Sequence, residues 1–422
     1  MKKTTLAIGV AAVLGIAYVG TSWYTGNIIE NHIDNQLAQI ANKVNQSQDD
    51  FKFSITKSNY EKHIFSTKLH LTVTASLQDS TDEDAQPKTL FDDDVTIHHG
   101  PFPIAALAKG TFAPQMAWLE YEMTEQANST LWKLAGNQPF ITGHAGVSYG
   151  EHITVKLASK AIKATQEEIP TIDGSLELGK GNYTISSDTN GSDIITNMEI
   201  DKLAFTYPSS LSSNPVSLVI NKFVINQTNI LNEATDTAEG SFYSRVDSII
   251  YGQQNLGNGS LDIDFKGFDK KLFSNSSDTD NPDKKHNIQF SLNKFNWHTS
   301  AGDINANLNF DLSDVDITTI DEADYDKINT LKLKLEAPFD VLAHLSAQLE
   351  NPNANEVTPE QVAKANQNLQ FMSALIMSNS QFLTSSNGET KGIYSDVYLT
   401  KDSEEVNVNG KTVTKEEFFE NL

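Results

Sequence analysis

Cysteine is absent from all 422 residues, which excludes disulfides, thiolate metal sites, iron–sulfur clusters and cysteine nucleophiles. Positive charge is scarce: 31 Lys and Arg stand against 55 Asp and Glu, a formal charge of −24. A field of that sign repels phosphate backbones and anionic headgroups. It argues against nucleic-acid binding and against a main domain lying flat on an acidic bilayer. Long apolar runs are missing after residue 24. Also missing are a phosphate-binding glycine loop, a dinucleotide fingerprint, a His-Glu-x-x-His helix and a nucleophile elbow. No catalytic residue, cofactor site or metal site is assigned on this basis, and an enzyme is not expected.

What is present begins with the N-terminus. Lys2 and Lys3 precede an apolar stretch carrying Leu6, Ile8, Val10, Val13, Leu14, Ile16 and Val19, which continues into Trp23 and Tyr24. As a helix, residues 4–24 would span about 30 Å, close to the thickness of a hydrocarbon core. The lysines would stay cytoplasmic and the two aromatic rings would sit at the far interface. The competing reading is a cleaved leader with small residues around Gly15-Ile16-Ala17. Both readings put the rest of the chain outside the cytoplasm, and the uncleaved anchor is preferred because the apolar character runs on past Ala17.

Ile29, Ile33, Leu37, Ile40 and Val44 then recur at helical spacing, an amphipathic stripe expected to pack on the domain that follows. From Phe51 the period drops to two. Phe65, Thr67, Leu69, Leu71, Val73, Ala75 and Leu77 mark one face of a long strand, and Asp79 to Lys88 reads as an acidic loop. Strands are predicted over Ile153–Leu157, Ser175–Leu178, Met198–Tyr207, Val216–Ile225, Phe242–Tyr251, Leu261–Phe265, Ile288–Trp297 and Ile304–Leu312, separated by Gly, Asn, Ser and Asp clusters. A tetrad recurs among them: Ile200-Asp201-Lys202-Leu203, Ile220-Asn221-Lys222-Phe223 and Leu292-Asn293-Lys294-Phe295. The stretches around residues 102–109 and 116–134 are compatible with short helices or irregular segments. Near the end, Ala337 to Leu349 reads as a helix. Thr358-Pro359-Glu360-Gln361 starts another that should bury Val362, Leu369, Met372, Leu375 and Ile376. A strand over Gly392–Leu399 and a short acidic helix behind Thr414 complete the pattern.

The expected class is α+β, predominantly antiparallel β: an N-terminal membrane helix, then an extended, curved, multi-stranded sheet with a few covering C-terminal helices. The corresponding divisions are 1–24 for the cytoplasmic stub and anchor and 25–50 for the juxtamembrane helix. They continue with 51–335 for the β-rich extracytoplasmic part and 336–422 for a helix-rich part packed on the sheet.

Trp23-Tyr24-Thr25-Gly26 after the anchor, the strand from Phe65 to Val73, the turn His99-Gly100-Pro101-Phe102-Pro103 and Val408-Asn409-Gly410 together resemble the YdgA family of bacterial envelope proteins. That family is itself of unknown function. The resemblance implies a single-pass protein of the bacterial inner membrane with its bulk in the periplasm, and it carries over no catalytic residues.

Two clusters invite a metal reading. His98-His99 follows Asp92-Asp93-Asp94, but neighbouring residues on a strand point to opposite faces, and Gly-Pro-Phe-Pro is better read as a rigid turn. Asp311, Asp314, Asp316, Asp321, Asp324 and Asp326 lack the Gly and Glu that an EF-hand loop needs. The function expected is non-catalytic binding, of a lipid along an open apolar sheet face or of another envelope component. Alternatives are an interaction scaffold or homodimer, and an envelope hydrolase with an assembled carboxylate pair. An apolar face fully covered as ordinary core is the plainer packing.

Overall fold

A computed structural model describes residues 21–35, 37–38, 41–42, 45, 51–77, 87–170, 172–188, 192–208, 215–270, 285–315, 326–377, 380 and 382–420. Leu6, Ile8, Val10, Val13, Leu14, Ile16 and Val19 lie outside them, as do Ile40, Val44, the acidic loop up to residue 86 and residues 316–325 of the aspartate series. Among the described residues no helix is long and apolar enough to cross a membrane.

The chain divides into two compact units, one holding residues up to 162 with 182–194, the other 163–181, 195–270 and the chain from 279 onward. In the first, helix α1 (described residues between 21 and 45) precedes β1 (Phe51–Lys62), β2 (Ser66–Leu77) and β3 (Lys88–His99). Next come α2 (Ile104–Ala108), β4 (Gln115–Glu122), α3 (Ser129–Leu134), β5 (Ile141–Ser148) and β6 (His152–Ser159). After β7 (Ile162–Thr165) and β8 (Ser175–Leu178), β9 (Gly181–Asp188) lies beside β6. β1 to β6 pair antiparallel in chain order. One sheet face is apolar because alternation puts Leu69, Val95, Ile97 and Leu119 in register, and Ile29, Ile33 and Leu37 of α1 pack on it. Ile33 is the buried centre of the α1 stripe, with Ile29 and Leu37 half-buried beside it. Full burial of one such isoleucine contributes roughly 1.5–3 kcal/mol. Lys57 extends the seam at its edge through an ion pair with Asp34 at 3.1 Å.

Asp92-Asp93-Asp94 lies inside β3. Asp92 and Asp94 point to the wet face, and both are taken up by His70, at 3.0 and 2.8 Å. Asp93 points inward, and its carboxylate accepts from Thr124 Oγ1 at 2.9 Å.

The second unit contains β8, β10 (Asp193–Tyr207), β11 (Val216–Asn232), β12 (Thr237–Tyr251), β13 (Gln254–Asp269), β14 (His286–Thr299), β15 (Gly302–Val315) and β16 (Ile328–Pro338). Helices α4 (Phe339–Glu350) and α5 (Pro359–Met377) follow, then β17 (Thr384–Ser386), β18 (Lys391–Thr400), β19 (Glu405–Val408), β20 (Lys411–Thr414) and α6 (Lys415–Glu420). β11 to β16 form an antiparallel meander that β18 extends beyond β16. β16 and β18 pair across 335/336, so the C-terminal part shares one ladder with the strands before it.

Two of the tetrads mark irregular places in the ladders. At the β11 tetrad Lys222 sits at φ 50° while β11 and β12 stay in register, Asn221 opposite Ser248 and Phe223 opposite Val246. The slip falls in the next ladder, where Val246 pairs with Gly259 and Ile249 with Gly257. Leu292 pairs with Leu308 and Phe295 with Ala306. In a regular strand, residues three apart face opposite ways; these irregularities return Leu292 and Phe295, like Ile220 and Phe223, to one face. Leu203 pairs with Leu178, and Lys202 lies where the partner chain leaves β8, its carbonyl accepting from Gly179 N at 2.7 Å.

α4 and α5 form a hairpin around Ala343, Ala347 and Ala365, joined by Val362 and Leu369. Thr358 caps α5 as its sequence predicts: Gln361 N donates to Thr358 Oγ1 at 3.3 Å and Thr358 N to Gln361 Oε1 at 2.8 Å. Thr358→Ala should cost about 1 kcal/mol, read as a lowered midpoint with unchanged slope in urea denaturation. Met372, expected inside, is 59% exposed. The reason is length. Asn366 already faces Asp340 near the start of α4, so the last turns of the 19-residue α5 run past the 12-residue α4. Leu375 and Ile376 have no described side-chain environment.

Candidate functional site

Three features of the described residues could carry function, and the first joins two stretches of the family resemblance. β3 ends at His99, which is 1% exposed. Its Nδ1 donates to the Ser22 carbonyl at 2.9 Å, and its Nε2 faces Thr67 Oγ1 at 3.4 Å. The ring lies against the backbone of Gly26, where an added Cβ would come within 2.6 Å of His99 Cε1. Gly100, at φ +119°, rests on Ser22, with an added Cβ 2.1 Å from its Oγ. Thr25 Oγ1 meets Tyr149 OH at 3.0 Å. The Trp23-Tyr24-Thr25-Gly26 stretch and the His99-Gly100 turn are therefore two halves of one clamp that fixes the start of α1 to the sheet. Trp23 and Tyr24 themselves point away and are 57% and 62% exposed. Pro101 and Pro103 lead into α2, and Phe102 is exposed.

Burial holds the His99 imidazole below its ordinary pKa, with His98 and Lys62 acting the same way, against the Ser22 and Ser66 backbone bonds. A depressed histidine makes the folded state bind fewer protons than the unfolded chain, so stability rises with pH across the gap between the two pKa values. The clamp should be at full strength above about pH 6.5 and weaken below it. Thermal melts of the first unit at pH 5 and 7 should show this slope, and His99→Gln should flatten it. His70 works with the opposite sign, since the hydrogen bonds it donates to Asp94 and Asp92 raise its pKa. Its contribution is present at low pH and lost as pH rises, so the His99 variant is needed to separate the two.

The second feature is a polar cleft of about 720 Å³ on the face of the first sheet opposite α1. The register places Thr96, Glu120, His144 and Lys156 opposite one another across β3 to β6. His98 opens onto this cleft while His99 is buried on the other side, the separation that strand alternation predicts. Lys109 approaches Glu120 at 4.0 Å. His144 stacks on Trp118 with 4.5 Å between centroids, and burial, Lys156 and Lys109 lower its pKa. Among the described residues no three ligating side chains are arranged to hold a metal ion. The carboxylates whose pKa moves, Asp92, Glu168 and Glu360, all move down, away from what a general acid needs. His70 bridges two aspartates through different nitrogens, which makes it a strut in β2 and β3.

The third feature is a face of the second unit. Phe223, Phe242, Ile263, Leu292 and Leu308 lie on the same side from β11 to β15, flanked by Leu261, Phe265, Phe290, Phe295 and Phe310. All are half-buried, neither sealed nor fully exposed. The opposite side carries the polar chains: Asn221 bonds Ser248, Asn296 bonds Asn305, Asn309 bonds Ser291, and Lys266 pairs with Glu239. The same side is sealed at one end of β14 and β15, where Ile288, Leu312 and Val315 are buried with Phe268 and Phe310 packed on them, and again beyond β15. There Val397, Leu399, Val406 and Phe418 are sealed together with Leu331 and Leu333. α4 meets strand ends instead, through Gln348 to the Asn255 carbonyl at 3.1 Å and Val341 against Gly302.

The family model for "Bacterial protein of unknown function (DUF945)" matches residues 1–229. The chain belongs to this family. Protein YdgA of Escherichia coli strain K12 is 27% identical over 183 residues, 42% of this chain and 36% of YdgA, so that match spans about a third of the relative's length. The uncharacterized protein YihF of the same strain is 20% identical over 486 residues of alignment, 98% of this chain and 97% of YihF. No solved structure matches the chain. The family match covers both halves of the clamp. Sequence reading found the His99 turn but missed its partner Ser22; no local signal pairs residues so far apart.

Proposed function

We propose that this chain is a non-enzymatic protein of the bacterial envelope that binds an amphiphile on the apolar face of β11 to β15. Residues 1–24 hold it in the inner membrane and the remainder lies in the periplasm. The observation that carries the reading is an uncharged, half-buried apolar surface running across five strands, bordered by fully sealed core. At a strand spacing of about 4.8 Å the patch is roughly 19 Å across, more than the ~15 Å of one leaflet's acyl layer. One acyl chain laid across the strands would dry it. The clamp at His99 supports the same reading by fixing the helix that leaves the anchor directly to the first sheet. The irregularities in two of the tetrads keep its apolar residues on one side, and the amide-rich reverse face keeps its other side wet.

The test is purification of the full chain from native membranes, with mass spectrometry of everything that remains bound. A stoichiometric lipid or other amphiphile is expected. A preparation carrying only a second protein, or a second copy of the chain, would replace this reading with the scaffold.

A further inference from the structure

The polar cleft of the first unit holds two opposite charges that do not meet. Glu122 stands on β4 and Lys156 on β6, and among the described residues neither forms an ion pair. Glu122 faces Thr142, which faces Ala158, and Lys156 lies two residues further along β6. Strand spacing and rise put their Cα atoms about 12 Å apart, too far for a direct bridge. Between them stand Thr142 and the His144 imidazole, held flat on Trp118. The other charged pair in the cleft, Lys109 with Glu120, compensates itself. On the Lys156 side, β9 adds the amide and hydroxyl donors Asn182 and Thr184, while the Tyr183 hydroxyl is taken up by Ser159.

We infer that this cleft binds a phosphodiester zwitterion bearing a primary ammonium group. The ammonium sits on Glu122, and the phosphate lies between Lys156 and the β9 donors. Each wall selects against half of the alternatives. A simple anion meets Glu122 and the field of a chain with formal charge −24. A simple cation meets Lys156. A zwitterion has no net charge to be repelled and satisfies both poles with charge-assisted hydrogen bonds. The same chemistry is carried by a free glycerophosphodiester and by a lipid headgroup. The site rests on the first unit alone and stands independently of the apolar face.

The probe is sn-glycero-3-phosphoethanolamine, titrated into the full chain by calorimetry, with glycerol phosphate and ethanolamine as its halves. Saturable binding is expected, each half should bind about tenfold more weakly, and Glu122→Gln and Lys156→Gln should each cost about tenfold. Both positions are exposed, and unchanged circular dichroism checks that the variants fold. Sedimentation with phosphatidylethanolamine vesicles then assigns the source. Binding to both points to the headgroup, and binding to the soluble diester alone points to the free compound. No binding of the diester, equal binding of glycerol phosphate, or wild-type affinity in both variants would overturn the assignment.

Discussion

Replacing Gly100 by valine should lower the melting temperature of the first unit by about 6–12 °C, from a loss of about 3 kcal/mol. Two penalties combine at this position. The backbone sits at φ +119°, where a β-branched residue is strained, and the new Cβ would lie 2.1 Å from the Oγ of fully buried Ser22. Neither can be relieved cheaply, because the neighbouring His99 is fixed from both sides by the Ser22 carbonyl and Thr67. The strain should be released by lifting the start of α1 away from the sheet. Limited proteolysis should therefore cut between residues 21 and 35 well below the temperature at which β1 to β6 melt. Gly110→Val is the control: that glycine also has positive φ, but an added Cβ there meets nothing within 4 Å, so only the backbone cost remains. If both variants melted alike, the clamp would not be what the Gly100 contact measures.

The clamp also shows where sequence reading stops. Its halves were each visible, one as an aromatic-Thr-Gly stretch and the other as a His-Gly-Pro turn, yet nothing in either predicts their meeting, since only the folded unit brings residue 22 to residue 99. The strands were legible wherever alternation was clean, as in Ser175–Leu178, which β8 reproduces residue for residue. Strand β5, Ile-Thr-Gly-His-Ala-Gly-Val-Ser, was missed because two glycines and an alanine break up the β-forming Ile, Thr and Val and erase the apolar alternation. It is a strand because β4 and β6 hold it on both sides. The tetrads were recognised as a recurrence, but the ladder irregularity that two of them mark needs the partner strand's register. Met372 was misplaced because helical periodicity says which face is apolar and cannot say how long the partner helix is.

Aspartate at Leu292 should abolish amphiphile binding while leaving the second unit folded, whereas aspartate at Val397 should unfold it. The two positions lie on the same sheet side, in register through Leu308 and Leu333. Val397 has no exposed surface. A carboxylate there is sealed among Leu399, Val406 and Phe418 with no partner, a loss of about 4 kcal/mol or more. Leu292 is only half-buried, so a carboxylate there can turn to water, and the cost is the lost apolar contact, about 1–2 kcal/mol. In the bound state that same carboxylate would lie under a hydrocarbon chain, and affinity for a fluorescent fatty-acid probe should fall by more than about tenfold, at least 1.4 kcal/mol. Circular dichroism and probe titration on both variants separate the cases. Should Leu292→Asp unfold the unit as Val397→Asp does, the face from β11 to β15 is sealed core and the amphiphile reading fails. Should it fold and bind the probe unchanged, the face is open but is not where an amphiphile sits.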